Sequence, residues 1–183
     1  MVQLFVDTRE KGGRLFLLET GGIAGNVLHA VNDFCRVLGV ETYGPTDSVS
    51  DLSARMTDTY ETTFVRWLEG SRLSEKDLVF VLSLDGENRE KNASANLATA
   101  LEYAKEVKAK VCGIVGENNG FTVQVANVCV LVPSINSQLS PLLADFIQTM
   151  ILGLIVSHPD VQAAEVIWES ADDIWSANPL LFT

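Results

Sequence analysis

Short apolar runs alternate with helical segments along the chain, and this alternation restricts the possible folds more than any other feature. Runs that are apolar at consecutive positions are typical of strands buried on both faces, as in a parallel sheet covered by helices. Five segments are predicted as strands: Arg14–Glu19, Val40–Gly44, Leu78–Ser83, Val111–Gly116 and Val128–Val132. The second is the weakest, and the last ends at Pro133.

Helices are predicted between these strands. A short amphipathic helix opens the chain, and further helices are expected at Ala24–Leu38, Ala93–Lys108 and Pro141–Ser157, with helical turns after Pro45 as far as Leu68. Gly39 is expected to end the first of the three long helices. Strands and helices in alternation with short links predict an α/β fold. We expect a three-layer αβα sandwich around a parallel sheet of about five strands.

The length of 183 residues fits one compact domain. We expect residues 1–159 to form that domain and residues 160–183 to form an acidic tail. Trp168 and Trp175 in the tail predict that part of it docks on this or a neighbouring subunit.

Charge composition disfavours two classes of partner. The chain has 13 Lys plus Arg against 24 Asp plus Glu, a formal net charge of −11, so nucleic acid and anionic membranes are poor partners. A phosphate ligand would have to be held locally, by backbone N–H groups and hydroxyls.

Neither a metal site nor a membrane span is indicated by the sequence. The three cysteines, Cys35, Cys112 and Cys129, lack metal-type spacing and are expected to be buried thiols in a reducing compartment. No apolar stretch approaches the roughly 20 residues needed to cross a bilayer. We therefore expect a cytoplasmic protein.

Ligands of open parallel sheets bind beyond the carboxyl ends of the strands, which directs attention to the loops at that edge. Thr20-Gly21-Gly22 follows the first strand, Ser83 ends the third, and Ser94 precedes a helix. A phosphate cradle is one interpretation of these groups. The alternatives are a structural glycine turn and an ordinary helix N-cap at Ser94 or Asn92.

Several stretches together resemble a known family. They are the Gly-Gly turn, the helical segment His29–Phe34, the Ser-bearing loop after Leu82, the run Ala95–Glu106, and Gly113–Gly116. Their order is similar to that in the phosphoheptose isomerases, which carry a sugar isomerase (SIS) domain. Thr46–Arg55 and Val156–Pro159 look like a branch similar to sedoheptulose 7-phosphate isomerase. Over residues 2 to 160 the resemblance implies a flavodoxin-like SIS domain.

The resemblance also implies roles for individual residues. Family members grip a phosphosugar with a Gly-Asn-Gly-Gly-Ser turn and a Ser/Thr-rich loop, while a carboxylate and a histidine on helices exchange protons. Asp33 falls at the position of the catalytic carboxylate. The residues implied to bind phosphate or substrate are Thr20, Gly21, Gly22, Asp58, Ser83 and Ser94, and no cofactor is implied.

The chain departs from the family pattern at the glycine turn and in the last long helix. Ile23 replaces the ligand-binding Ser, and residues 140–156 contain no His where the family has its second acid/base histidine and a glutamine. His29 matches a His that binds zinc in some members. With Asp33 as its only companion no zinc site is expected, and a surface or satisfied core histidine is the alternative.

Two functional hypotheses follow. One is an isomerase acting on a phosphosugar with a partly degenerate site. The other is a SIS domain without catalysis that serves as a sensor, scaffold or regulatory subunit. Because the helix Pro141–Ser157 is apolar nearly all round, we also expect a homodimer or homotetramer.

Overall fold

A five-stranded parallel sheet runs through the middle of the molecule. The computed structural model describes residues 1–20, 24–45, 59–83, 94–116, 120–133 and 139–163. The strands are β1 Leu15–Thr20, β2 Thr42–Tyr43, β3 Leu78–Ser83, β4 Lys110–Gly116 and β5 Val128–Val132. They lie in the order β2-β1-β3-β4-β5, all neighbours parallel, which is the flavodoxin-like order. The predicted fold class is confirmed.

Helices cover both faces of this sheet. They are α1 Val2–Glu10, α2 Ala24–Asp33, α3 Thr63–Gly70, α4 Ala95–Glu106, α5 Phe121–Val125 and α6 Ser140–Val156. A π-helical turn, Phe34–Leu38, extends α2 until Gly39 ends it in the left-handed region at φ 64°, as the sequence predicted. Helix α5 was not predicted, because five residues are too few to show a helical period.

Alternate residues of each strand face opposite layers of the sandwich. Leu15 and Leu17 of β1 join a core with α1, α2 and α6. Phe16 and Leu18 join a second core with α3, α4 and α5. Every residue of β3 is buried, which explains why this strand is apolar at every position from Leu78 to Leu82.

The amino edge of the sheet is fixed by an ion pair between Arg14 and Asp77. Arg14 Nε and Nη2 donate to the two carboxylate oxygens of Asp77 at 3.2 and 3.0 Å, and the Arg14 backbone N–H donates at 2.8 Å. Burial alone would raise the pKa of Asp77, but hydrogen bonds from Arg14 and Ser74 outweigh it and lower that pKa below its ordinary value. The backbone segments at Gly13 and Lys76 lie so close together that a Cβ on Gly13 would be 1.9 Å from the Lys76 carbonyl oxygen.

Removing the guanidinium tests this edge. In Arg14→Met the Asp77 carboxylate stays buried without its charged partner, so we expect the free energy of unfolding to fall by about 3 kcal/mol. Because the pKa of Asp77 is depressed, its stabilising contribution is present above the unfolded pKa and is lost as pH falls through the folded one.

Urea denaturation at neutral pH measures the loss. Arg66→Met is the matched control, since Arg66 pairs with Glu69 at an exposed site and should cost less than about 1 kcal/mol. Equal losses in the two variants would contradict the assignment.

Candidate functional site

Two hydroxyl groups meet at the carboxyl edge of the sheet. Thr20 and Ser83 are partners in the β1–β3 register, and their Oγ atoms lie 2.9 Å apart. Ser83 is fully buried. The structure therefore brings together two of the residues implied to bind substrate, whereas Gly21, Gly22 and Asp58 lie outside the described residues.

Ser94 stands immediately before α4 with an uncommon backbone conformation. Its φ of 55° lies in the left-handed region, which is unfavourable by about 1 to 2 kcal/mol for a residue with a Cβ. The Ser94 carbonyl accepts from the N–H groups of Leu97 and Ala98, but its hydroxyl makes no capping hydrogen bond. Ser94 thus occupies the N-cap position without using its side chain as a cap. Strained backbone of this kind is often found at functional sites.

Gln148 of α6 reaches the same edge, and the sequence analysis overlooked it. Its Nε2 donates to the carbonyl oxygens of Ser83 at 3.1 Å and Ile114 at 3.0 Å, and the residue is fully buried. A glutamine in a predominantly apolar helix was the available signal.

Glu19 is a second residue that the sequence analysis did not single out. Strand alternation places its side chain on the face of Leu15 and Leu17, opposite to that of Thr20. Glu19 Oε2 is buried with no hydrogen-bond partner among the described residues. Burial raises the pKa of Glu19 from 4.5 to about 7. In the sequence, the signal that could have singled out Glu19 was a carboxyl group at the end of an apolar strand.

Asp33 and His29 lie beside a cavity between α2 and α6. His29 Nε2 lies 3.1 Å from Asp33 Oδ2, and the His29 side chain is 70% exposed against 19% for Asp33. The cavity has a volume of about 210 Å³. It is lined by Asn26, His29, Ala30, Asp33, Thr149, Leu152, Gly153, Val156 and Ser157.

The α6 wall of this cavity supplies no group that titrates near neutral pH. Its members are Thr149, Leu152, Gly153, Val156 and Ser157. Asn26 ties the two helices together by donating to Asp145 Oδ1 at 2.7 Å and accepting from Thr149 at 2.9 Å. Asp33 therefore has an imidazole beside it on its own helix and none facing it across the cavity.

The described residues contain neither a metal-binding cluster nor a membrane-spanning helix. No three His, Cys, Asp or Glu side chains there converge as a metal-binding group, and no helix there has the length and apolarity to cross a membrane. Cys112 is buried as expected, but Cys35 is exposed, which corrects the expectation of three buried thiols.

A lysine-rich cavity lies at the opposite, amino edge of the sheet. It is lined by Lys11, Glu75, Lys76, Lys108 and Lys110. These residues lie just before β3 and β4 or just after α1, so the cavity is remote from the strand ends that carry Thr20 and Ser83.

Two sequence relatives of this chain are both phosphoheptose isomerases. No family model matches the chain. It is 29% identical over 138 residues to the phosphoheptose isomerase of Roseiflexus sp. (strain RS-1), covering 72% of this chain and 66% of that protein. It is 27% identical over 135 residues to that of Aneurinibacillus thermoaerophilus, covering 70% and 65%. The chain is similar to phosphoheptose isomerases.

Solved structures agree on the fold. A phosphoheptose isomerase from Francisella tularensis superposes with a TM-score of 0.68 at 18% identity, covering 85% of this chain and 81% of that one. The phosphoheptose isomerase from Neisseria gonorrhoeae gives 0.66 at 18% identity, covering 86% and 83%. The chain therefore shares the fold of these two phosphoheptose isomerases, and it spans 66% and 65% of the length of the two curated relatives.

The raised pKa of Glu19 predicts a pH-dependent stability. The folded protein holds this proton more tightly than the unfolded chain, so the Glu19 contribution is most favourable below pH 4.5 and is lost as pH rises through about 7. Glu19→Gln removes the titration. Relative to the wild type, we expect the free energy of unfolding of the variant to be about 1 to 2 kcal/mol higher at pH 8 than at pH 5. This value is reduced to allow for partial solvent exposure.

Urea denaturation of both proteins at the two pH values gives this difference directly. Parallel stability profiles would show that the Glu19 pKa is not raised.

Proposed function

We propose that this protein binds a sugar phosphate at the carboxyl edge of its sheet, with sedoheptulose 7-phosphate as the first candidate, and that its aldose–ketose isomerase turnover is weak or absent. The observation that carries the binding role is the Thr20–Ser83 hydroxyl pair at the ends of adjacent strands. Both residues belong to the set implied by the resemblance to phosphoheptose isomerases.

The weak turnover follows from the composition of the α2/α6 cavity. Aldose–ketose isomerisation needs a base that removes the proton beside the carbonyl and an acid that protonates the oxygen. Asp33 is the proposed base. Its neighbour His29 is largely exposed, and the α6 wall of the cavity carries only hydroxyl and apolar groups.

The same wall supports the second candidate, a SIS domain that binds its ligand without chemistry and acts as a sensor, scaffold or regulatory subunit. An acid or base typically contributes about 10² to 10⁴ in rate, so loss of one partner leaves binding intact while removing most turnover. The cytoplasmic location remains a prediction from the sequence.

Paired calorimetry and turnover assays with sedoheptulose 7-phosphate test the function. We expect the wild type to bind and Thr20→Val to bind about tenfold more weakly, because a hydrogen-bonding group at the ligand edge is lost. Asp33→Asn should change affinity less than about twofold and remove any residual turnover.

A double variant at the opposite edge serves as the control. Lys76→Met with Lys108→Met should leave sugar-phosphate affinity unchanged. If this variant abolishes binding, the ligand occupies the lysine-rich cavity instead. If no sugar phosphate binds, the proposed ligand class is wrong, and turnover at the rate of an efficient isomerase would contradict the degenerate site.

We also propose that the chain assembles as a homodimer or homotetramer through α6. One side of this helix exposes large apolar side chains at four-residue spacing: Leu142, Phe146, Met150 and Leu154, exposed by 55 to 64%. Successive members of such a series lie on one helix face, so they form a continuous apolar stripe. A contiguous apolar surface of this kind is typical of a protein interface.

Light scattering at micromolar concentration should give a dimer or larger assembly. Phe146→Glu combined with Met150→Glu should shift it to the monomer, because carboxylates would be buried at the interface. Glu61→Lys with Glu69→Lys, on the other side of the sheet, is a control that should leave the mass unchanged. A monomeric wild type would contradict the assembly.

A further inference from the structure

Among the described residues, two buried oxygens at the carboxyl edge of the sheet have no hydrogen-bond donor. They are Glu19 Oε2 and Gln148 Oε1. Gln148 is completely buried, and Nε2 makes both of its hydrogen bonds to the described residues, so its carbonyl oxygen has no donor there. Buried polar atoms are nearly always hydrogen-bonded in proteins, so each of these oxygens needs an explanation.

The two oxygens belong to the same layer of the molecule. Glu19 faces the α2 and α6 side of β1, and its register partner on β3 is Leu82. Gln148 approaches from α6 and binds the carbonyls at the ends of β3 and β4. Glu19 lies on β1 and Gln148 reaches β3 and β4, and adjacent strands are about 5 Å apart, so the two residues are placed on the order of 10 Å apart along the sheet edge. The hydroxyls of one sugar can span that distance.

The chemistry of the two atoms restricts what would satisfy them. Gln148 Oε1 is an acceptor, and Glu19 Oε2 is an acceptor when its carboxyl is ionised, so a ligand group that donates can satisfy both. An ionised phosphate offers mainly acceptor oxygens, whereas each hydroxyl of a sugar offers an O–H donor. The Thr20–Ser83 hydroxyl pair lies on the other face of the same strand ends and can donate to an anion.

We propose that Glu19 and Gln148 form a hydroxyl-binding subsite that holds the polyhydroxylated carbon chain of the ligand, while the Thr20–Ser83 side of the edge holds its phosphate. This assignment rests on the proposed function. It adds a specificity role for Glu19, whose carboxyl accepts hydrogen bonds from sugar hydroxyls on the face opposite to the phosphate.

Glu19→Met is the variant that tests the subsite, because it keeps the approximate volume and removes both carboxyl oxygens. Gln148 is less suitable, since its amide also holds two strand carbonyls. Calorimetry compares sedoheptulose 7-phosphate with butyl phosphate, which has a phosphate and no hydroxyls. We expect Glu19→Met to weaken sugar-phosphate binding about tenfold or more and to leave butyl phosphate binding unchanged.

Two further measurements separate binding from folding. Glu19→Gln keeps one acceptor oxygen and should retain more sugar-phosphate affinity than Glu19→Met. The thermal midpoint of Glu19→Met should equal or exceed that of the wild type, because an unpaired buried carboxyl has been replaced by an apolar group. Glu106→Met, an exposed position near the end of α4, is the matched control and should behave as wild type.

The outcomes distinguish this inference from the proposed function. If the wild type binds no sugar phosphate, the proposed function fails and the subsite fails with it. If the wild type binds and Glu19→Met binds equally well, only the subsite is overturned. An equal loss for sugar phosphate and butyl phosphate also overturns it, since Glu19 would then act on the phosphate.

Discussion

The complete burial of β3 between two helical layers is the constraint on which the rest of the structure depends. All six residues of this strand are inaccessible, so β1 and β4 must pair with its two sides and helices must cover both faces. No polar side chain can be accommodated along it until Ser83, its last residue. Polar side chains are therefore concentrated at the strand ends, and the carboxyl edge is where open parallel sheets bind their ligands.

The two faces of that edge differ in kind. On the α4 side, Thr20 and Ser83 present hydroxyls that can donate or accept. On the α6 side, Glu19 and Gln148 present buried oxygens that accept. A ligand with an anionic end and a hydroxyl-rich end would match this asymmetry, whereas a simple anion would match only one side.

The sequence predicted the fold well because its signals are local. The apolar run at Leu78–Ser83 and the stop at Gly39 each need only a few neighbouring residues to be recognised. Glu19 and Gln148 were missed because each looks ordinary in its own segment. Their significance comes from burial without a partner among the described residues, a property that arises only when β1, β3 and α6 come together. Likewise, sequence spacing alone could place Asp33 and His29 on one helix face but could not show which side chains of α6 line the cavity beside them.

Helix α6 has two chemically different sides. Gln148 points into the sheet edge, and on the opposite side of the same helix runs the stripe of Phe146 and Met150. A ligand that contacts Gln148 and a subunit that covers the stripe would both contact the same helix. By thermodynamic linkage, a ligand that prefers one position of that helix changes the association constant of the subunits, and association changes the ligand's affinity by the same factor. In such an arrangement the ligand affinity depends on protein concentration. Ligand affinities measured over a dilution series would therefore give the coupling free energy between ligand binding and subunit association.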